Sequence, residues 1–88
     1  MSEEPGLVAV DSAAVWPDDA ADVDEGVVAN WFVREGARVA DGQTVCEIQI
    51  EKVSVDVPAP APGELVERLV PENGTFRRGD PLARVRPD

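Results

Sequence analysis

The stretch Cys46-Glu47-Ile48-Gln49-Ile50-Glu51-Lys52-Val53-Ser54-Val55-Asp56-Val57-Pro58 alternates apolar and polar residues in two runs around a short break. Cys46, Ile48 and Ile50 take one face of the first run, and Val53, Val55 and Val57 take one face of the second. A period of two over four to eight residues is the pattern of a half-buried strand. Two such runs predict a hairpin whose turn is Glu51 and Lys52. The chain continues through Pro58-Ala59-Pro60-Ala61-Pro62-Gly63, which cannot donate a continuous hydrogen-bond ladder and is expected to cross between half-sheets as an extended connection.

The flanks of this hairpin repeat each other. Laid over residues 63–85 at a constant shift of 37, residues 26–48 align without a gap. Val28 meets Leu65, Phe32 meets Leu69, Val33 meets Val70, Val39 meets Phe76, Gly42 meets Gly79, Val45 meets Leu82 and Ile48 meets Val85. Each half reads as strand, turn, short strand, turn, strand, with turns at Glu35-Gly36 and Asp41-Gly42, then at Asn73-Gly74 and Arg78-Gly79. Neither half buries a face alone, so the two are expected to pack together with pseudo-two-fold symmetry. The fold class is all-β, a single domain. Residues 1–6 are expected to be a flexible N-terminus and residues 7–88 the folded domain.

Composition narrows the function. Eighteen acidic side chains stand against eight basic ones, for a formal charge of −10. Such a surface repels phosphate backbones and anionic headgroups, so neither nucleic acid nor a membrane is an expected partner. No leader-like or membrane-spanning apolar run is present, and a cytoplasmic protein, monomeric in isolation, is expected. The chain has no histidine, which removes the commonest general base and metal ligand and makes self-contained catalysis a poor reading. The acidic residues of the loop 18–25 lack the order of a calcium loop, so no metal site is expected and the loop reads as solvated. Cys46 falls on the inward face, as a buried thiol. Trp16 and Trp31 read as core, and Arg78-Gly79-Asp80 as a turn.

Lys52 is the only lysine beside seven arginines. An exposed amine at a hairpin tip, next to Glu51, lacks the desolvation or cationic neighbour that a reactive lysine needs. It reads as an attachment point, with no catalytic residue in the chain.

The runs Glu25-Gly26-Val27-Val28-Ala29-Asn30-Trp31-Phe32-Val33, Glu35-Gly36, Cys46 to Val53, Val57-Pro58-Ala59-Pro60 and Gly63 resemble the lipoyl domain of 2-oxo acid dehydrogenase complexes, in the biotinyl and lipoyl carrier family. Pro17 falls where that family has the proline closing its first strand. The resemblance implies a flattened barrel or sandwich of two four-stranded antiparallel sheets, the barrel-sandwich hybrid, with lipoate linked covalently to Lys52. Glu51, Val53 and Glu47 would flank the lysine as recognition residues, together with the loop 18–25. It also implies a carrier that shuttles acyl groups and reducing equivalents between the active sites of a 2-oxo acid or acetoin-type dehydrogenase complex. Its partners would be a lipoate ligase or lipoyl transferase, and the thiamine-dependent dehydrogenase, acyltransferase and dihydrolipoyl dehydrogenase components. Two positions depart from the family pattern: Glu51 stands where Asp is usual, and Arg68, the repeat mate of Trp31, stands where an aliphatic residue is usual. Biotin carrier domains share the fold but place Met on both sides of the lysine, which disfavours a carboxylase or decarboxylase carrier here. An unmodified structural module of this fold is the third reading. Met1 and an end at Pro87-Asp88 fit a free-standing carrier better than a fragment.

Overall fold

The structure, a computed structural model, describes residues 6–88; most of the N-terminal segment expected to be flexible lies outside the described residues. Eight strands follow in chain order: β1 (Val8–Asp11), β2 (Glu25–Trp31), β3 (Arg38–Val39), β4 (Thr44–Ile50), β5 (Val53–Pro58), β6 (Gly63–Arg68), β7 (Thr75–Arg77) and β8 (Pro81–Pro87). Two 3-10 turns, Ser12–Val15 and Asp18–Ala20, lie between β1 and β2. The strands form two antiparallel four-stranded sheets, in the orders β1-β8-β6-β3 and β5-β4-β2-β7. All-β is as the alternation predicts, and the two four-stranded sheets are as the resemblance implies. The sheets keep open edges, so the molecule is a sandwich and not a closed barrel.

The shift of 37 residues runs deeper than side-chain identity. It carries β2 onto β6, β3 onto β7 and β4 onto β8, and each short strand pairs in the sheet of the other half: β7 on β2, β3 on β6. Even the irregularities repeat. Ala29 is the extra residue where β2 pairs β4, and Val66 is the extra residue where β6 pairs β8. Val45 bulges from β4 against β5, and its mate Leu82 bulges from β8 against β1. A bulge breaks strict alternation and adds twist. That is why two neighbours, Val45 and Cys46, both point inward, and why Leu82 and Ala83 do the same.

The core follows the repeat. Val28 and Leu65, Val45 and Leu82, Cys46 and Ala83, and Ile48 and Val85 are all fully buried mates. Ala59 is buried in the connection that crosses from one sheet to the other, as the Pro-rich stretch requires. Two expectations are corrected. Phe32 is 56% exposed; its amide donates to Val45 as that of Leu69 donates to Leu82, so the backbones match while the ring turns outward. Pro17 does not close the first strand, which ends at Asp11; it sits between the two 3-10 turns. Arg68 is exposed, with its guanidinium 5.6 Å above the ring of its own repeat mate, Trp31, at the edge of the core.

Candidate functional site

β4 and β5 form the hairpin that the alternation predicts. Ile50 pairs Val53, leaving only Glu51 and Lys52 in the turn. A two-residue hairpin turn needs a residue at positive φ, and Glu51 supplies it, at φ 56°. Gln49 braces the turn by donating from Nε2 to the Glu51 carbonyl at 3.1 Å. Beneath it Ile50 is fully buried. Lys52 therefore stands exposed on a short turn anchored directly in the core.

The neighbouring strands define what else reaches this end. Val27 of β2 pairs Gln49, and a Cβ placed on Gly26 would lie 3.1 Å from Ile50 Cγ1, so β2 begins beside the tip. Glu25 is next to the turn, and the loop 18–24 that precedes it is on the same end of the sandwich. β7 joins there too, with Arg77 paired to Glu25. Of the flanking residues expected at the site, Glu51 is in the turn and Val53 is half-buried as the first residue of β5. Glu47 is not at the tip. It lies on the outer face of β4, opposite Asp56 and receiving a hydrogen bond from Asn30 Nδ2 at 3.3 Å. It lies three residues back from Ile50, where the turn begins, about 10 Å along β4.

Charge divides the domain unevenly. From Gly6 to Pro58 there are eleven acidic against three basic side chains; from Ala59 to Asp88 there are five of each. Two of the second half's arginines pair within its own sheet: Arg84 with Glu67 at 2.8 Å and Arg86 with Glu64 at 3.2 Å. The excess negative charge thus belongs to the half that carries Lys52. Cys46 takes no part; burial pushes its thiol up to about 12, so it stays protonated.

Sequence reading missed Gln49 as the brace of the turn and Arg78 as a contact of the loop 18–24. A Gln on a polar face carries no signal of its own. Arg78 shows itself only once the loop folds back against the turn between β7 and β8.

These features define a class: a small β-sandwich that presents its one lysine on a two-residue hairpin tip. Residues 14–85 match the biotin–lipoyl family, described as biotin-requiring enzyme, and the chain belongs to that family. It is 43% identical over 70 residues to the dihydrolipoyllysine-residue succinyltransferase component of the human mitochondrial 2-oxoglutarate dehydrogenase complex, over 80% of this chain and 15% of that protein. It is 29% identical over 69 residues to the dihydrolipoyllysine-residue acetyltransferase component of the pyruvate dehydrogenase complex of Staphylococcus epidermidis, over 78% of this chain and 16% of that protein. The chain thus spans roughly a sixth of the curated relatives it matches. Among solved structures it is similar to the lipoyl domain of the 2-oxoglutarate dehydrogenase complex from Azotobacter vinelandii, with a TM-score of 0.67 and 28% identity, over 88% of this chain and 95% of that one. It shares its fold with part of a single-chain long-chain acyl-CoA carboxylase, with a TM-score of 0.79 at 22% identity, over 100% of this chain and 8% of that one. The relatives and the first of these structures mark it as a lipoyl-type domain.

Proposed function

We propose that Lys52 carries lipoate in amide linkage and that the domain is the swinging-arm carrier of a 2-oxo acid dehydrogenase complex. The observation that carries this reading is the placement of the chain's one lysine on a two-residue turn, exposed and anchored on buried Ile50. The site suits the group: a ligase needs a primary amine it can surround, and no hydrogen bond or ion pair engages the Lys52 amine among the described residues. In its neutral form Lys52 Nζ attacks the carboxyl that a lipoate ligase activates with ATP; the C–N bond forms, AMP leaves and a proton passes to solvent. Amide formation cancels the ammonium charge. When bound, lipoate supplies a dithiolane that accepts an acyl group together with two electrons. The protein's own part is to hold the arm's root still and to be recognised. A rigid root raises the local concentration of the arm at each partner site.

Recognition falls to the acidic end, namely Glu51, Glu25 and the loop 18–24. Complementary basic surfaces on the thiamine-dependent dehydrogenase, the acyltransferase and the dihydrolipoyl dehydrogenase would be steered to it. The similarity to lipoyl domains of 2-oxoglutarate and pyruvate complexes supports this over a biotin carrier, the second reading, which the shared fold of an acyl-CoA carboxylase keeps in view.

The test is the intact mass of the protein from its native host, or after incubation with lipoate ligase, lipoate and ATP, beside a Lys52→Arg control. A gain of one lipoyl group that the control lacks is expected. A gain of biotin instead turns the reading to a carboxylase, and no gain in either preparation overturns the carrier.

A further inference from the structure

Arg78 ties the loop 16–24 to the turn between β7 and β8. Its Nη2 lies 2.5 Å from the Ala21 carbonyl and 2.6 Å from that of Val23. The Ala20 carbonyl is at 3.4 Å, and Trp16 Nε1 satisfies it at 3.0 Å. The guanidinium stands 5.0 Å above the Trp16 ring, and the Asp24 carboxylate is 3.5 Å away. The main chain adds a bond from Arg78 N–H to the Asp24 carbonyl at 2.8 Å. One planar cation thus grips both ends of a short segment while stacking on its only aromatic ring.

The grip has a chemical reason. The segment holds Asp18, Asp19, Asp22 and Asp24 on 3-10 and turn backbone, which leaves carbonyls without ladder partners and sets like charges close together. Charge-assisted hydrogen bonds to carbonyls are among the stronger ones, and a planar guanidinium stacks on the Trp16 ring while its Nη2 reaches the carbonyls, which an ammonium does less well. Without it, the carboxylates would be expected to spread apart.

Resting on the carrier reading above, we infer that Arg78 is a positioning residue: it holds the acidic loop beside Lys52 in the one arrangement that a dehydrogenase partner reads. Arg78 touches neither the arm nor the partner's reacting atoms. It acts through the loop, and its effect belongs in the affinity of the encounter.

The test uses the lipoylated domain, with complete modification checked by mass, as substrate for the thiamine-dependent components of 2-oxoglutarate and pyruvate dehydrogenase. For Arg78→Ala, amide exchange at Ala21 and Val23 is expected to quicken by about tenfold or more while that of Ile48 does not change. With whichever component acylates the wild type, KM is expected to rise about tenfold at constant kcat, as loss of uniform binding requires. Arg78→Lys is expected to fall between. Trp16→Phe, which keeps the ring but loses the indole donor, is expected to loosen the loop partway by an independent route. A loosened loop with unchanged KM overturns the inference, as does a fall in kcat alone. The triple variant Asp18→Asn, Asp19→Asn, Asp22→Asn separates the two readings. If it is acylated as well as wild type, the loop is not read and recognition by it fails, taking Arg78 with it. If it slows while Arg78→Ala does not, only the positioning role fails. A wild type acylated by neither component overturns the carrier reading itself.

Discussion

Glu35 and Glu72, 37 residues apart, clasp each other's half of the domain. Glu72 Oε2 accepts the Trp31 N–H at 2.9 Å, and Glu35 Oε2 accepts the Arg68 N–H at 2.9 Å. Each acceptor and each donor is the repeat mate of the other. The turn of one half therefore satisfies an amide near the end of the other half's long strand, beyond the last residue paired to its short neighbour strand. The two clasps differ in setting: that of Trp31 is part-buried, and that of Arg68 is exposed.

That difference sets the first prediction. Glu72→Ala strands a part-buried N–H and is expected to cost about 1–2 kcal/mol, whereas water replaces the lost acceptor in Glu35→Ala, at about 0.5 kcal/mol. Urea unfolding measures both. Equal costs would mean that the Trp31 amide finds another partner.

The two glycines that open the long strands of each half are also mates, and the space around them predicts unequal costs. A Cβ on Gly26 would lie 2.7 Å from Phe76 Cζ, the far end of a side chain that can shift. A Cβ on Gly63 would lie 2.1 Å from the Arg86 carbonyl oxygen, which is backbone in a paired strand. Gly26→Ala is expected to lose about 1–3 kcal/mol, the usual range for overpacking. It should also change Trp16 fluorescence, because the Trp16 ring meets Phe76 edge to face at 6.1 Å. Gly63→Ala is expected to lose more, and a milder effect there would show that β8 can yield.

Much of this was legible because period-two alternation and a constant shift are both properties of residue order. Alternation on each side of Glu51 and Lys52 left only those two residues for the turn, and the shift paired Val28 with Leu65 and Ile48 with Val85 before any strand was seen. The bulges were not legible: Val45 next to Cys46 reads as a break in the alternation, and only the pairing of β4 with β5 shows that both point inward. Phe32 misled because apolar character does not say which side of a strand end a ring takes. Glu47 belongs with the tip only as the resemblance implies it; in an extended strand its place before Ile50 carries it away from the turn. The grip of Arg78 on Ala21 and Val23 joins residues more than fifty apart through an irregular loop, where no period exists to reveal it.

Glu51 makes the tip strained. At φ 56° an L residue brings Cβ close to its own carbonyl, at about 1–2 kcal/mol, and Asn tolerates this best after Gly. Glu51→Asn is expected to stabilise the domain by about 0.5–1 kcal/mol and Glu51→Val to destabilise it by at least as much, since a β-branched residue fits that region worst. Thermal melts resolve the pair, at about 4–8 °C per kcal/mol for a domain of this size. If both variants melt with wild type, the turn has relaxed to another form.

Cys46 predicts how stability depends on alkaline pH. Burial holds its thiol near 12 in the folded protein, against 9.0 for a free one. Below pH 9 both states keep the proton, so Cys46 adds no pH dependence. Between pH 9 and 12 the unfolded chain ionises while the folded one does not, so the folded state binds more protons and its stability falls as pH rises. The slope approaches about 1.4 kcal/mol per pH unit from this group. Cys46→Ala is expected to be less stable than wild type at pH 8, from the lost packing of a buried side chain, and to close part of that gap by pH 11. Urea unfolding of both proteins across that range reads the difference directly. In parallel, iodoacetamide should label the wild-type thiol only as fast as the domain opens. Parallel stability curves together with rapid labelling of the native protein would place Cys46 in contact with water.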